Sequence, residues 1–286
     1  MIDALKATYP VTKMAELLGV NPRSYHAWVK RPPSAAEVRR LRLTSLIVEI
    51  HRSSWFTYGS PRIHAELVAM GERVSRQLVE KLMRQAGIQG VKKRKKGRPP
   101  RRDLRPLPSP DLVERQFVAD GPNELWVADM TYKMTGEGWA YVATITDVWS
   151  RTCVGWAMSH RIDTDLAMAA LELALSRRRN LAGLVLHSDQ GSPYGAIRYQ
   201  RALTAAGITS SMGTTGDAFD NAMAESVNST LKADLIDEYH WPTRAALASA
   251  LMRYIEGFYN PRRRHTSIGN VSPLEYEKCL SERDAA

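Results

Sequence analysis

The sequence predicts an α/β protein, a mixed five-stranded sheet flanked by helices and preceded by all-α helix-turn-helix modules. Three observations predict it. Apolar residues recur at helical spacing, with capping residues between the runs, through the first 90 positions. From Pro122 the pattern changes to β-rich apolar runs that later alternate with helical ones. Between the two lies a charged, proline-rich stretch, residues 91–115, which has no periodic apolar positions and reads as a linker.

The first segment, VTKMAELLGVNPRSYHAWVK from Val11 to Lys30, places Met14, Ala15, Leu18, Val20, Tyr25 and Trp28 where two short helices would pack around a turn at Gly19. Asn21 suits the cap of the second helix and Pro22 its first turn. Pro32-Pro33 ends this unit, giving a helix-turn-helix-like segment over residues 1–33. Leu43, Leu46, Ile47 and Ile50 form an i, i+3, i+4, i+7 stripe, so Ala35 to Arg52 reads as one amphipathic helix. Ser60 is expected to cap a helix from Pro61 with Ile63, Leu67 and Met70 inward. Ser75 is expected to cap a third, with Leu78, Val79, Leu82, Met83 and Ala86 inward and Gly87 ending it. Residues 34–90 thus read as a second DNA-binding-sized module. Arg73, Arg76, Lys81 and Arg84 lie on or beside its last helix, where they either grip phosphates or solvate a face.

Charge sharpens this reading. Residues 1–110 carry 23 Lys and Arg against 8 Asp and Glu, whereas residues 111–286 carry 17 against 22. A basic half beside an acidic one is the footprint of a polyanion binder. The linker concentrates it: KKRKKGRPPRRDLR, residues 92–105, holds nine positive side chains, including Lys92, Lys93, Arg94, Lys95, Lys96 and Arg98. Such a polycation releases counterions from DNA and makes binding steeply salt dependent. No apolar run approaches the roughly 20 residues of a membrane span, and the N-terminus lacks a signal-peptide pattern. Cys153 and Cys279 are too few for a disulfide framework or a Cys/His zinc site. The expectation is a soluble cytoplasmic protein with no membrane partner.

In the second half, Leu125–Thr131, Trp139–Thr146 and Thr152–Met158 read as three antiparallel strands. A helix from Asp163-Thr164 through Ser176, a strand Leu184–His187, a helix Ile197–Ala206 and a strand Thr209–Met212 follow. This is the element order of the ribonuclease-H-like fold, whose adjacent first and fourth strands would bring together Asp129, at the end of ELWVADMTY, and Asp189, in LVLHSDQGSPY. The stretch GDAFDNAMAESVNSTLK from Gly216 adds Glu225 on a helix, with Lys232 two turns further along the same face. Magnesium takes oxygen ligands and is commonly held by carboxylates, water and substrate phosphate. Two such ions about 4 Å apart promote in-line phosphoryl displacement. The same residues also read as strand-end turn acids and a solvated helix acid, and spacing does not separate the two readings. Trp126, Trp139, Trp149 and Trp156 are read as core; His187 as structural; and His265, amid Arg262–Arg264 after a helix Thr243–Phe258, as a phosphate contact or a cover for the core.

These motifs together resemble the transposases of the insertion-sequence-three family, with a retroviral-integrase-like DDE core. The resemblance is carried by ADMTY around Asp129, HSDQGSPY, DNAMAES leading into Glu225, Lys232, and the closing FYNPRRRHTSIGNVSPLEYE. YGSPRIHAEL and VSRQLVEKLMRQAGIQG resemble that family's helix-turn-helix module. Pro193 departs from its motif and leaves the acid untouched. The resemblance implies an integrase-like catalytic domain over residues 116–280 with a C-terminal helical extension. It implies that Asp129, Asp189 and Glu225 hold two Mg²⁺ (or Mn²⁺) ions. Hydrolysis at a transposon end would free a 3′-hydroxyl, which would then attack a second phosphodiester. The DNA contacts expected with it are Lys232, Arg73, Arg76, Arg263, His265 and the linker cations, on terminal repeats and target DNA. A homo-oligomer on DNA is expected, with an upstream-frame product as partner or frameshift fusion. A ribonuclease-H-like nuclease or junction resolvase would use the same carboxylates without the closing motif; a transcriptional repressor would leave them without purpose.

Overall fold

The computed structural model describes residues 2–91, 109–213 and 222–284. Lys92, Lys93, Arg94, Lys95, Lys96 and Arg98, and the segment 214–221 ahead of Glu225, lie outside the described residues.

Three short helices begin the chain: α1 (Ile2–Leu5), α2 (Val11–Leu17) and α3 (Pro22–Lys30). Asn21 caps α3 by accepting a hydrogen bond from the Arg23 amide at 2.8 Å. Ile2, Met14, Ala15 and Tyr25 make the small core of this unit. Leu18, Val20 and Trp28, expected inside, are exposed, because so short a segment closes its core on four side chains.

The next three helices are α4 (Ala35–Ser53), α5 (Ser60–Ala69) and α6 (Arg76–Gln85). A reciprocal capping box starts α4: the Glu37 amide donates to Ser34 Oγ and the Ser34 amide to the Glu37 carboxylate. Ser75 caps α6 through the Leu78 amide, and Gly87, at φ +68°, takes the left-handed turn that ends it. The expected cap Ser60 instead occupies the first helical position behind Gly59, and its hydroxyl donates to Glu80 at 3.2 Å. Pro61 accounts for the shift, since it fits either of the first two helical positions.

The five strands are β1 (Leu125–Thr135), β2 (Gly138–Asp147), β3 (Cys153–Ser159), β4 (Val185–Ser188) and β5 (Thr209–Met212), in sheet order β3-β2-β1-β4-β5. β1, β2 and β3 pair antiparallel, while β4 runs parallel to both β1 and β5. Between β3 and β4 lies α7 (Thr164–Arg177), capped by Asp163. It packs so closely that a Cβ on Gly155 of β3 would stand 2.2 Å from the Ala170 carbonyl oxygen. α8 (Ser192–Gly195) and α9 (Ile197–Ala205) join β4 to β5. Trp126, Ala128, Ile145, Leu171, Leu186 and Tyr199 fill the core on the α7 side.

After the sheet come α10 (Ala222–Leu231), α11 (Arg244–Tyr254) and α12 (Pro273–Asp284). Both α10 and α11 run on into a π-helical turn, at Lys232–Ile236 and Ile255–Tyr259, so the single helix expected to Phe258 changes its winding. These turns face one another across a buried network. Asp234 accepts hydrogen bonds from Tyr254 Oη at 2.6 Å and Arg263 Nε at 2.8 Å, and all three residues are buried. Arg263, expected on DNA, is therefore an internal counter-ion: a lone buried carboxylate needs a cation, and Asp234 takes this one.

The same region receives the N-terminal helices. Leu43, Ile47, Ile63, Leu67 and Val79 share one apolar core with Leu235, Leu251, Tyr254 and Phe258. At its rim Arg264 binds both carboxylate oxygens of Glu66, at 2.7 and 3.0 Å, and its amide donates to Tyr58 Oη at 2.8 Å. Helices α4–α6 and the end of the chain are thus one packed body. Replacing Asp234 with Ala leaves the Arg263 guanidinium buried without its counter-ion, so urea denaturation should show a loss of about 3–5 kcal/mol. A loss below about 1 kcal/mol, the range of surface pairs, would show the network to be solvated.

Candidate active site

The site begins with a register. Ala128 of β1 lies opposite Ser188, the last residue of β4, so Asp129 and Asp189 leave the paired strands at the same level. This is the carboxyl end of a parallel pair, where open α/β sheets place their ligands. β1 does not stop at Thr131, the end expected from the sequence, but continues to Thr135 against β2. Its pairing with β4 ends sooner, at Ala128, because β4 is only four residues long.

Each carboxylate is fixed locally. Asp189 Oδ1 accepts the Gly191 amide at 3.0 Å, and a Cβ on Gly191 would stand 2.8 Å from that oxygen, so a glycine lets the chain fold tightly over the acid. Asp129 Oδ1 accepts the Met130 amide at 2.8 Å, and Oδ2 accepts Asn228 Nδ2 at 2.8 Å. Thr144, the cross-strand partner of Asp129, donates its hydroxyl to Asn228 Oδ1 at 3.2 Å, which orients the amide. Sequence reasoning missed Asn228 and Thr144. The signal for Asn228 was present: it stands three residues after Glu225, one turn on along the same helix face.

Glu225 sits half-buried in the first turn of α10, which packs on β1 and β2. Its charge reaches Asp129. Burial first, then the neighbouring charges of Asp189 and Glu225, push the Asp129 carboxyl up to about 7, against the pull of its hydrogen bonds from Asn228 and Met130. The buried Tyr194 hydroxyl is raised well above the ordinary phenol range, mainly by burial and then by Tyr199, Asp189 and Asp129. The three acids are neighbours, yet among the described residues no three His, Cys, Asp or Glu side chains gather closely enough to hold one ion. Still, a set of oxygen donors whose mutual repulsion opposes ionisation is chemically suited to a hard divalent cation.

The other expected site residues divide. The Lys232 ammonium lies 4.8 Å from the centre of the Tyr132 ring. Arg73 and Arg76 are exposed, Arg76 reaching Glu80 at 3.2 Å. His265 is half-buried, edge-on to Tyr259, and its backbone pairs with Val271, so it belongs to the packing of the closing segment. His187 is fully buried with Nδ1 2.9 Å from Ser211 Oγ, in keeping with a structural part. Trp139, expected in the core, is 43 % exposed near the start of β2, opposite Met134, itself exposed.

The raised Asp129 carboxyl has a thermodynamic consequence. A folded-state pKa near 7 against 3.8 in the open chain means ionisation costs folding stability as pH rises through that interval. Asp129→Asn should therefore stabilise metal-free protein relative to wild type by a margin that grows between about pH 4 and pH 7. Thermal melts of both proteins across this range check it, and a pH-independent margin would contradict the burial argument.

Comparison with known proteins gives three family matches. A model described as an integrase core domain matches residues 119–218, a second of the same description matches 206–273, and an HTH-like domain matches 38–96. The transposase of insertion sequence element IS629 from Shigella sonnei is 38 % identical over 98 % of this chain and 95 % of its own. Transposase InsF of insertion sequence IS3A from Escherichia coli K12 is 34 % identical over 96 % of each. A solved HTLV-2 integrase catalytic core in complex with magnesium overlaps 55 % of this chain and 97 % of that one, at 17 % identity and a TM-score of 0.41.

Proposed function

Because the chain belongs to the insertion-sequence-three family of transposases, with an integrase core of ribonuclease-H-like fold, we propose that it breaks and joins DNA strands at transposon ends using Asp129, Asp189 and Glu225 as ligands of Mg²⁺ or Mn²⁺, two ions per site. The observation supporting this most directly is the juxtaposition itself: two aspartates level on paired strands, with the charges of Asp189 and of the helix residue Glu225 both felt at Asp129. When bound, such ions activate the attacking oxygen and stabilise the leaving oxygen of an in-line displacement.

The protein's own groups set the stage for that chemistry. Asn228 and the Met130 amide hold Asp129 in one orientation, and the Gly191 amide holds Asp189. In the first reaction water cleaves a phosphodiester and releases a 3′-hydroxyl. In the second that hydroxyl attacks another phosphodiester, so one P–O bond forms as another breaks and the displaced 3′-oxygen leaves with its strand. Lys232, Arg73, Arg76 and the cations of residues 92–98 supply phosphate contacts along the DNA path. Holding two ends for one joining event calls for more than one copy, hence a homo-oligomer on DNA, with an upstream-frame product adding end recognition. A repressor reading finds no use for three adjoining acids.

Asp189→Asn should abolish magnesium-dependent strand joining while DNA affinity in a filter or anisotropy assay stays nearly constant; parallel loss of both would contradict the ligand role. Replacing Lys92, Lys93, Arg94, Lys95, Lys96 and Arg98 together with Ala should flatten the slope of log affinity on log salt by about 0.9 for each phosphate these residues engage. An unchanged slope would remove the linker from the DNA path.

A further inference from the structure

We propose that Tyr132 and Trp139 form a stacking platform for unpaired nucleotides of the DNA end, set around the β1 edge from the carboxylate site; the proposal rests on the DNA-joining reading above. Tyr132 stands three residues beyond Asp129 on β1, about 10 Å along the strand at 3.3 Å per residue and, by strand alternation, on the opposite sheet face from the Asp129 carboxylate, past the point at Ala128 where pairing with β4 ends. In the β1–β2 register Tyr132 faces Tyr141 and Met134 faces Trp139, so strand alternation puts all four on one face. On this face Tyr132 is 55 % exposed, Met134 49 % and Trp139 43 %. The Tyr132 and Trp139 rings meet edge to face at 5.4 Å, and Tyr132 meets Tyr141 at 6.4 Å. Large aromatic rings left open side by side on a sheet mark a binding surface rather than a core.

Its electrostatics select the occupant. The Lys232 ammonium lies against the Tyr132 ring, while Lys133, on the other face of β1, is paired with Asp237 at 3.4 Å. Arg244 fastens the β1–β2 turn, donating from Nε to the Trp139 carbonyl at 3.0 Å and from its guanidinium to the Glu137 carbonyl at 2.6 Å. The rings are therefore held on a stiff hairpin with the Lys232 ammonium against Tyr132. A π-face beside a cation is what a single-stranded nucleotide engages, the ring taking the base and the cation the phosphate. Bases inside a duplex have both faces covered by their neighbours, so only bases freed at an opened end can stack here. At about 3.4 Å per nucleotide of a stacked strand, a strand passing round the β1 edge beyond Ala128 needs a few nucleotides to run from a phosphate held at Asp129 to the platform.

The test compares wild type, Trp139→Ala, Tyr132→Ala and Trp139→Phe. The probes are a blunt duplex and the same duplex with a short single-stranded oligothymidylate 3′-extension, measured by fluorescence anisotropy in calcium without magnesium. Each Ala variant should bind the extended probe roughly tenfold or more weakly, with the blunt probe changed less than about twofold and Trp139→Phe close to wild type. Equal losses on both probes, or none on either, would overturn the platform. Sedimentation of the DNA-free proteins covers the remaining occupant: an Ala variant that loses self-association would make this face a contact between copies and overturn it as well. Magnesium-dependent joining by the wild type, run in parallel, fails only if the DNA-joining reading fails, whereas the probe comparison reports the platform alone.

Discussion

Four residues of parallel pairing between β1 and β4 hold the rest of this protein to its purpose. A parallel ladder slides only in steps of two residues if each strand is to keep its faces, and a single-residue slip would turn a side chain to the opposite side. The ladder from Leu125 with Val185 to Ala128 with Ser188 therefore fixes not only that Asp129 and Asp189 are near but that they are level. Every other part of the site adapts to that fixed pair. The antiparallel partner β2 supplies Thr144 beneath Asp129, and α10 crosses with Asn228 and Glu225 on the face it shows the sheet.

Bringing acids together is electrostatically unfavourable, and the fold supplies the counterforce through apolar burial. Trp126 and Ala128 lock β1 from one side, while Val142 and Val227 share the core on the other. Further off, the Asp234–Tyr254–Arg263 network ties the π-helical turns following α10 and α11, so the helix carrying Glu225 is anchored at its far end by a charge pair as well as by packing. Against that background a raised carboxyl at Asp129 is the expected cost of a site whose charges are held together by something other than their own attraction.

Much of this was legible in the sequence because it is written locally. Apolar, β-rich runs bounded by turn residues marked the first three strands, and β5 falls on Thr209–Met212, the span read from the sequence. Asn21, Ser75, Asp163 and Thr243 cap the helices they precede. What failed was decided at a distance. Arg263 stands in a run of three arginines that looks like surface, and only Asp234, 29 residues upstream, explains its burial. Trp139 has a core residue's composition, yet its place near the open end of β2 leaves it in water. The extent of β1 beyond Thr131 depends on β2 continuing back to Gly138, which no reading of β1 alone reveals. The acids themselves were visible, while their hydrogen-bonded support was not, because Thr144 reaches Asn228 only after the sheet and helix have met.

Helices α4–α6 share their core with the end of the chain, and this bears on continuity rather than on catalysis. Val91 is hydrogen-bonded to Thr57 at one border of the intervening stretch, and Ser109 is buried at the other. The covalent connection between these points is thus not what keeps the two halves in register. Two polypeptides obtained by dividing the chain there would still have one interior in common, with the first supplying Leu43, Ile47, Ile63 and Leu67 to pack on Leu235, Leu251, Tyr254 and Phe258 of the second.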